Sequence, residues 1–252
     1  MGFTKAKLNN GETTLGAWIT IPNPIIIEIL QYHQFDWLAL DLEHAPFDNK
    51  IIYEMVRANN SRCDILVRLP TTRNEAIIKQ ALDAGADGII FPNVTTIADA
   101  QTISSCTKYP PDGARSMAIC RANNYGRNIA NHYLKHNNKV ITVIMIENEY
   151  ASAHVHDLAV SAGADAVLIG PYDLSASLGI SAQFSNQKFR DTIIHIKESV
   201  ESISIKRCAP GIHVASVDPE LVAEYRKMGF RFIACGLDTE MLRFGAKNAI
   251  PK

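Results

Sequence analysis

The sequence predicts a (β/α)8 barrel, and three observations carry this prediction. The chain has 252 residues, 47% of them hydrophobic and 20% charged, which is about the usual size of this fold. Eight short runs are continuously apolar, as strands buried on both faces of a parallel sheet must be. Between these runs lie segments whose apolar residues recur at helical spacing. Strand and helix therefore alternate, and eight such units are enough to close a barrel.

The joints between helix and strand carry a recurring signal. Gly85 and Gly163 each follow a helical segment, in Ala84-Gly-Ala-Asp-Gly and Ala162-Gly-Ala-Asp-Ala, where glycine can adopt the left-handed conformation that ends a helix. A doubly wound open sheet is the alternative, but no G-x-G-x-x-G pattern follows the first strand to support it. We predict the eight strands at residues 16–19, 37–41, 65–68, 88–91, 140–147, 166–170, 211–214 and 232–236.

One connection is much longer than the others. Residues 108–139, before the predicted fifth strand, are rich in turn-forming residues, as in Tyr109-Pro-Pro-Asp-Gly113 and Asn137-Asn138. A connection of this length is usually functional, so we expect an excursion over the barrel mouth or a contact between subunits. No low-complexity tract or linker interrupts the chain, and residues 1–252 are predicted to form a single domain.

Composition limits the class of partner. The formal net charge is −1 and no block of Lys and Arg stands out, so the basic surface of a nucleic-acid-binding protein is missing. No apolar run is long enough to span a bilayer, and the N-terminus lacks the apolar core of a signal peptide. The five cysteines are scattered, without a C-x-x-C pair, which favours free thiols in a reducing compartment. We predict a cytoplasmic protein without membrane or nucleic-acid partners.

Two carboxylates follow neighbouring predicted strands. Glu147 ends the fifth strand and Asp173 comes just after the sixth, and the carboxyl ends of barrel strands hold the active site. Two oxygen ligands of this kind suit a hard divalent cation such as Mg²⁺ or Mn²⁺, with water and substrate completing the coordination. The alternatives are a helix N-cap for Asp173 and a buried ion pair for Glu147.

Candidates for a general base and for a positively charged side chain follow the second and third predicted strands. Asp41 and His44 flank a turn, where the carboxylate could orient the imidazole for proton transfer. Arg68 ends the third strand and could stabilise negative charge on an enolate or bind a carboxylate. An arginine that only pairs with Asp41 or Glu43, and a loop histidine without a task, are the competing interpretations. Glu43 is a candidate for a hydrogen bond to metal-bound water.

Other signals are weaker or missing. The sequence contains no P-loop, G-x-S-x-G, H-E-x-x-H or kinase pattern. A glycine-rich phosphate loop is also missing after the last strands, so a phosphorylated substrate is not indicated. His213 is the one further histidine that lies near a strand end, from which it could reach the barrel mouth.

Several motifs together resemble one enzyme family. They are Asp36-Trp-Leu-Ala-Leu-Asp-Leu-Glu-His-Ala-Pro46, Tyr109-Pro-Pro-Asp-Gly-Ala-Arg115, the Glu147 strand and Ile169-Gly-Pro-Tyr-Asp-Leu-Ser-Ala-Ser-Leu-Gly179. Between about residues 16 and 236, the chain resembles the HpcH/HpaI family of class II, metal-dependent pyruvate aldolases, which belongs with the phosphoenolpyruvate/pyruvate-domain barrels. The resemblance implies a hexamer built from dimers that exchange a terminal helix.

The resemblance also implies an activity and a role for each matched residue. A lyase of this kind splits a 4-hydroxy-2-oxo acid into pyruvate and an aldehyde, or condenses them, through a metal-bound pyruvate enolate. By position, Glu147 and Asp173 would hold Mg²⁺, Mn²⁺ or a similar ion such as Co²⁺, and Arg68 would stabilise the enolate oxygen. His44, oriented by Asp41, would take the hydroxyl proton. Backbone N–H groups around Tyr172 and Asp173 would bind the pyruvate carboxylate at a helix start.

The chain departs from the family pattern at two positions. Met145 stands where the family has Gln, two residues before the metal-binding glutamate, and Ser116 replaces a glycine. A thioether cannot replace the hydrogen bonds of an amide, so the substrate, the metal affinity or the rate can differ. Two alternatives follow: a decarboxylase of oxaloacetate-like acids, which uses the same enolate, and a catalytically impaired barrel that binds a ligand.

Overall fold

A computed structural model describes residues 2–204 and 208–250. These residues form eight parallel strands, arranged in chain order in a closed barrel in which β1 pairs with both β2 and β8. The strands are β1 Thr14–Ile19, β2 Trp37–Asp41, β3 Asp64–Arg68, β4 Gly88–Phe91, β5 Ile141–Ile146, β6 Ala166–Ile169, β7 Ala209–Val214 and β8 Phe232–Leu237.

Twelve α-helices surround the strands in the described parts of the chain. They are α1 Phe3–Asn9, α2 Pro24–Leu30, α3 Asn49–Ala58, α4 Glu75–Ala84, α5 Ile97–Thr107, α6 Ile129–Lys139, α7 Glu149–Ala153, α8 Val155–Ala162, α9 Pro171–Ser177, α10 Gln187–Glu201, α11 Pro219–Lys227 and α12 Asp238–Ala249. The predicted barrel is therefore confirmed, and each predicted strand lies within one or two residues of the observed strand at both ends. Gly85 and Gly163 end α4 and α8 in the left-handed conformation, with φ of 99° and 57°.

Alternation along the strands divides the core into two layers. One set of side chains packs between the sheet and the outer helices, and the other fills the inside of the barrel. Inside, the Trp37 ring stacks on Phe232 with ring centroids 4.2 Å apart. Gly16 makes room for it, because a Cβ at that position would lie 2.0 Å from the indole. The inside of the barrel is therefore a packed core, which leaves only its ends for chemistry.

Helix α1 and a set of aspartates close the amino end of the barrel. Leu8 of α1 packs into the inner core, and Lys5 donates a hydrogen bond to the Val140 carbonyl and pairs with Asp165. Each aspartate precedes a strand and accepts the N–H of a residue that begins the strand before it. These bonds join Asp36 to Leu15 (3.0 Å), Asp87 to Ile65 (2.9 Å) and Asp165 to Thr142 (2.9 Å).

The long connection before β5 lies at this same end, so its predicted place over the barrel mouth is wrong. It contains a 3-10 turn, Arg121–Asn123, followed by α6. The Arg121 side chain donates to the Ala84 carbonyl at the end of α4 (2.8 Å), and the Tyr125 and Tyr53 hydroxyls are 3.0 Å apart. The reason is topological: a chain that runs from a helix end to a strand start returns to the amino end of a parallel barrel. A role in subunit contact stays a prediction.

Candidate active site

The inner side chains at the carboxyl ends of the strands form the candidate site. Asp41 and Arg68 end β2 and β3 at paired positions, and Glu147 directly follows β5. Because side chains of a strand alternate, residues two positions apart share a face. The inner positions of β5 therefore run through Val143 and Met145 to Glu147, whose side chain points toward the barrel axis.

Arg68 is held by two carboxylates at once. Its Nε and Nη2 donate to the two carboxylate oxygens of Asp41 at 2.9 and 2.7 Å, and its Nη1 lies 2.6 Å from Oε2 of Glu43. The guanidinium also lies over the Trp18 ring, 5.1 Å from its centroid. The contact with Glu43 is an ion pair rather than a hydrogen bond, since Oε2 of Glu43 is buried without a hydrogen-bond partner among the described residues. A guanidinium has five N–H donors, so the two hydrogen bonds to Asp41 leave N–H groups for a ligand. The fork is thus fixed in position and still able to bind an anion.

The Asp41 carboxylate has partners different from the predicted one. Besides Arg68, it accepts the backbone N–H groups of Glu43 (3.0 Å) and His44 (3.3 Å). Burial acts to raise the pKa of Asp41, but the hydrogen bonds and charge of Arg68 outweigh it and keep the pKa below its ordinary value. The predicted pairing of Asp41 with the His44 imidazole is not among the hydrogen bonds of the described residues. Asp41 instead fixes the turn that carries His44, whose side chain is exposed.

Glu147 is the buried carboxylate of the site, with 4% of its surface exposed. Its Oε2 accepts the Asn93 N–H at 2.7 Å, and its Oε1 lies beside Gly170, where a Cβ would be only 2.9 Å away. Burial raises the pKa of Glu147 to about 7, against the lowering effect of the Asn93 bond, and the charges of Glu43 and Asp173 add to the rise. The negative charges of Glu43 and Asp173 therefore act on the Glu147 carboxylate.

Helix α9 places Asp173 and Tyr172 at the opening of the barrel. Both side chains are exposed and lie in the first turn of the helix, whose N-cap is Gly170. Asp173 is therefore not the N-cap of this helix. Tyr172 packs edge-on against Phe184, with ring centroids 5.2 Å apart. The backbone N–H groups of this first turn have no partner within the helix, which leaves them available to an anion.

The donor set fits a hard divalent cation. Four carboxylates, from Asp41, Glu43, Glu147 and Asp173, surround the single guanidinium of Arg68, so their charges are not balanced. Within the described residues, no three His, Cys, Asp or Glu side chains are close enough to hold a metal ion by themselves. Glu147 and Asp173 would therefore need oxygen atoms of substrate and water to complete an octahedron, as Mg²⁺ commonly does.

Sequence reasoning missed three members of the site. Trp18, which is 1% exposed, supports Arg68; Asn93 holds Glu147 by its backbone; and Gly170 leaves space for the same carboxylate. An apolar pattern does not distinguish Trp18 from a core residue. The backbone N–H of Asn93 could not be predicted, because any residue except proline has such a donor. Gly170 could have been found, because it stands between an apolar strand and Pro171, where close approach of a side chain favours glycine.

Comparison with known proteins finds relatives over nearly the whole chain. The model of the family described as HpcH/HpaI aldolase/citrate lyase matches residues 14–244. A hydroxypyruvate/pyruvate aldolase of Roseobacter denitrificans is 33% identical over 251 residues, covering 98% of this chain and 95% of that protein. A 5-keto-4-deoxy-D-glucarate aldolase of Klebsiella pneumoniae subsp. pneumoniae is 31% identical over 240 residues, covering 95% and 91%.

A solved structure shows the same fold. The crystal structure of an HpcH/HpaI aldolase/citrate lyase family protein from Burkholderia cenocepacia J2315 superposes with a TM-score of 0.90 at 27% identity, covering 99% of this chain and 98% of that one. The named relatives are aldolases, so the prediction of a carbon–carbon lyase is confirmed. In the part of the chain that the structure describes, we find no helix with the length and apolar character to cross a membrane. The chain belongs to the HpcH/HpaI aldolase/citrate lyase family.

Proposed function

We propose that this aldolase depends on a divalent metal ion and acts on 4-hydroxy-2-oxo acids, which it splits into pyruvate, or a related 2-oxo acid, and an aldehyde. One observation carries the proposal: the buried Glu147 carboxylate lies in the field of Glu43 and Asp173, next to an arginine whose position is fixed. Such an excess of negative charge around a deep carboxylate is typical of a cation site. Burial is the main reason that the pKa of Glu147 is raised, and the charges of Glu43 and Asp173 add to the rise.

The proposed mechanism assigns a step to each residue. Glu147 and Asp173 would hold Mg²⁺ or Mn²⁺, with Co²⁺ as a further option; when bound, the ion polarises the 2-oxo group. His44, exposed on the turn that Asp41 fixes, would take the proton of the 4-hydroxyl. The bond between carbons 3 and 4 then breaks, and carbon 4 leaves as the aldehyde. The electron pair of the broken bond stays on carbon 3 and forms the enolate of the oxo acid.

Arg68 would act where the new charge develops. The N–H groups that are not bonded to Asp41 would donate to the enolate oxygen, and their stabilising effect is larger because the site is buried. Backbone N–H groups near Tyr172 and Asp173 would bind the carboxylate of the oxo acid. Glu43, whose pKa is raised by burial despite the opposing charge of Arg68, would accept a hydrogen bond from water in the site. A proton then adds to carbon 3 and releases the oxo acid.

Substitution of Glu147 tests the proposal. Glu147→Gln keeps the size of the side chain but removes its charge, so we expect loss of metal-dependent turnover and of metal binding measured by calorimetry with Mn²⁺. Glu149→Gln is the matched control, because Glu149 is exposed two residues away and pairs with Lys188 on the surface. Equal metal binding and equal turnover by Glu147→Gln and the unchanged protein would refute the assignment.

The same assay separates the alternatives. Release of aldehyde from 4-hydroxy-2-oxo acids supports the aldolase, whereas release of CO2 from oxaloacetate without aldol cleavage supports the decarboxylase. A catalytically impaired ligand-binding barrel would neither turn over these acids nor exchange the methyl protons of pyruvate with deuterated water. Each outcome therefore identifies one of the three interpretations.

We also propose that the protein works in the cytoplasm as a homo-oligomer. Apolar side chains of α12 are exposed, with Leu242 at 66% and Phe244 at 51% of their surface. Ile25 and Ile29 on α2, and Tyr32 just after this helix, form a further exposed set. Apolar groups in this number on a single protomer favour burial against other copies. Sedimentation analysis should find a species larger than 27.8 kDa, and a monomer at all concentrations would contradict this proposal.

A further inference from the structure

His213 is a partly buried polar residue of the site that the proposed mechanism does not use. On β7 the side chains of Ile212 and Val214 pack in the outer core, while Ala209 belongs to the inner core. His213 alternates with Ile212 and therefore faces the barrel axis, near the carboxyl end of its strand. The register from β5 through β6 to β7 pairs Ile146 with Ile169 and Ile169 with Ile212.

One residue further along each strand, the same register aligns Glu147, Gly170 and His213. Gly170 continues the ladder, since its N–H donates to the Ile146 carbonyl at 3.2 Å. Because Gly170 has no side chain, the Glu147 carboxylate can lie beside it, with Cγ and Oε1 2.9 Å from the position of an added Cβ. Neighbouring strands are about 4.8 Å apart, so the backbones of Glu147 and His213 are about 10 Å apart and both side chains face the inside of the barrel.

The His213 ring is fixed, but one of its nitrogen atoms lacks a partner. The imidazole stacks on Trp18 with ring centroids 4.7 Å apart and an interplanar angle of 26°, and Trp18 in turn supports Arg68. Nε2 of His213 is buried without a hydrogen-bond partner among the described residues. A buried polar atom in this state is destabilising unless a ligand or water supplies the bond.

The imidazole is in the neutral form near neutral pH. Burial first, and then the positive charge of Arg68, lower the pKa of His213 to about 4, although the Asp41 carboxylate acts in the opposite direction. A neutral imidazole has one donor and one acceptor nitrogen. Its natural partner is a group that can also donate and accept, such as a hydroxyl. A carboxylate prefers a cation, and a methyl group offers no hydrogen bond.

We propose that His213 is a specificity residue that hydrogen-bonds a hydroxyl on carbon 3 of the 2-oxo acid donor, so that the enzyme prefers a hydroxylated donor to pyruvate. The inference rests on the proposed aldolase function. The donor, rather than the aldehyde, is assigned to His213 because the donor must reach Arg68 and Glu147, which are both buried. His44, the proposed base for the 4-hydroxyl, is exposed at the opening, where the aldehyde enters.

The neighbouring substitution on β5 is consistent with this assignment. Met145 is 2% exposed and belongs to the inner core, and it stands where the family pattern has an amide. The inner face of β5 therefore offers no polar side chain below Glu147, and the hydrogen-bonding side chain comes from β7 instead. Recognition of the donor is therefore assigned to His213 on β7 rather than to a side chain on β5.

A comparison of two donors tests the proposal. The holoenzyme is assayed with hydroxypyruvate and with pyruvate, each with the same aldehyde, and kcat/KM is measured for both. We expect the unchanged protein to favour hydroxypyruvate and His213→Leu to lower the ratio of the two kcat/KM values by about 10- to 100-fold, with little change for pyruvate. His213→Asn, which retains a donor and an acceptor, should restore part of the ratio. Thermal melting checks that both variants fold.

The other outcomes overturn the inference. An equal loss for both donors would show that His213 only supports Trp18 and Arg68, and an unchanged ratio would show that water satisfies Nε2. Failure of the proposed function has a different signature: the unchanged protein would neither cleave nor form aldols with either donor. In that case calorimetric binding of hydroxypyruvate and of pyruvate to the unchanged protein and His213→Leu decides the role of His213 separately.

Discussion

Gly170→Ala tests whether the position of Glu147 matters apart from its charge. The added Cβ would lie 2.9 Å from both Cγ and Oε1 of Glu147. Gly170 has φ of −89°, which alanine adopts without strain, so the backbone has no reason to move. The substitution therefore acts through the contact with the carboxylate.

The expected size of the effect follows from that distance. Carbon atoms in ordinary contact are about 3.5–4.0 Å apart, so the Glu147 side chain must retreat by roughly 0.6 Å or more. Its Oε2 is held at 2.7 Å by the Asn93 N–H, and the movement strains this bond as well. Metal–ligand distances tolerate only about 0.2 Å. We expect a loss of metal affinity of at least about tenfold, equivalent to ~1.4 kcal/mol.

Calorimetric titration with Mn²⁺ and the metal dependence of turnover measure this loss. Gly245→Ala is the control, because no atom lies within 4 Å of its added Cβ and the position is exposed on α12. It should leave metal affinity unchanged and favour its helix by about 0.5–1 kcal/mol. If Gly170→Ala bound Mn²⁺ as tightly as the control, then either Glu147 would not be a ligand or its carboxylate could move freely, and the reasoning above would fail.

Two further predictions concern the charged groups at the two ends of the barrel. Arg68→Lys keeps the charge but loses the planar guanidinium that contacts both Asp41 and Glu43. In steady-state assays kcat/KM should fall by roughly 10²- to 10³-fold, which corresponds to ~3 kcal/mol of transition-state stabilisation; unchanged kinetics would contradict the role in enolate stabilisation. At the amino end, burial and the charge of Asp64 raise the pKa of Asp87 from 3.8 to about 7, so the folded protein holds this proton more tightly and loses stability as the pH rises from about 4 to 7. Asp87→Asn, whose amide oxygen can still accept the Ile65 N–H, should remove that loss. Since one pKa unit corresponds to about 1.4 kcal/mol, the variant should be more stable than the unchanged protein by up to about 4 kcal/mol at pH 8, with little advantage at pH 4; equal urea midpoints at both pH values would refute it.

The strands were predictable because burial leaves a simple trace in the sequence. A strand covered on both faces must be apolar throughout, and Trp37–Asp41 and Gly88–Phe91 match their predicted bounds at both ends. The fifth strand was predicted too long, at 140–147, because Val140 and Glu147 are buried but lie outside the ladder. A run of apolar residues indicates which residues are buried, not which residues form the hydrogen bonds of the sheet, and these two sets differ at strand ends.

The location of the long connection needed topology rather than composition. Its turn-forming residues show that it is irregular, but they do not say which end of the barrel it covers. Direction of the chain decides this, since a connection from helix to strand lies at the amino end and one from strand to helix at the carboxyl end. Once the strands are assigned, the position of residues 108–139 follows without any further information.

Side-chain partners were the part of the site that the sequence could not supply. Asp41 and His44 are three residues apart, and their proximity in sequence suggested a carboxylate–imidazole pair. Arg68 is distant in sequence but directly opposite Asp41 in the β2–β3 register, and its charge and planar guanidinium outcompete an imidazole ring for a buried carboxylate. The choice therefore depends on a register that only the closed barrel fixes. By the same logic, His44 is free to act on substrate because Arg68 already neutralises Asp41, and the base of the proposed reaction is a residue that the fold leaves exposed.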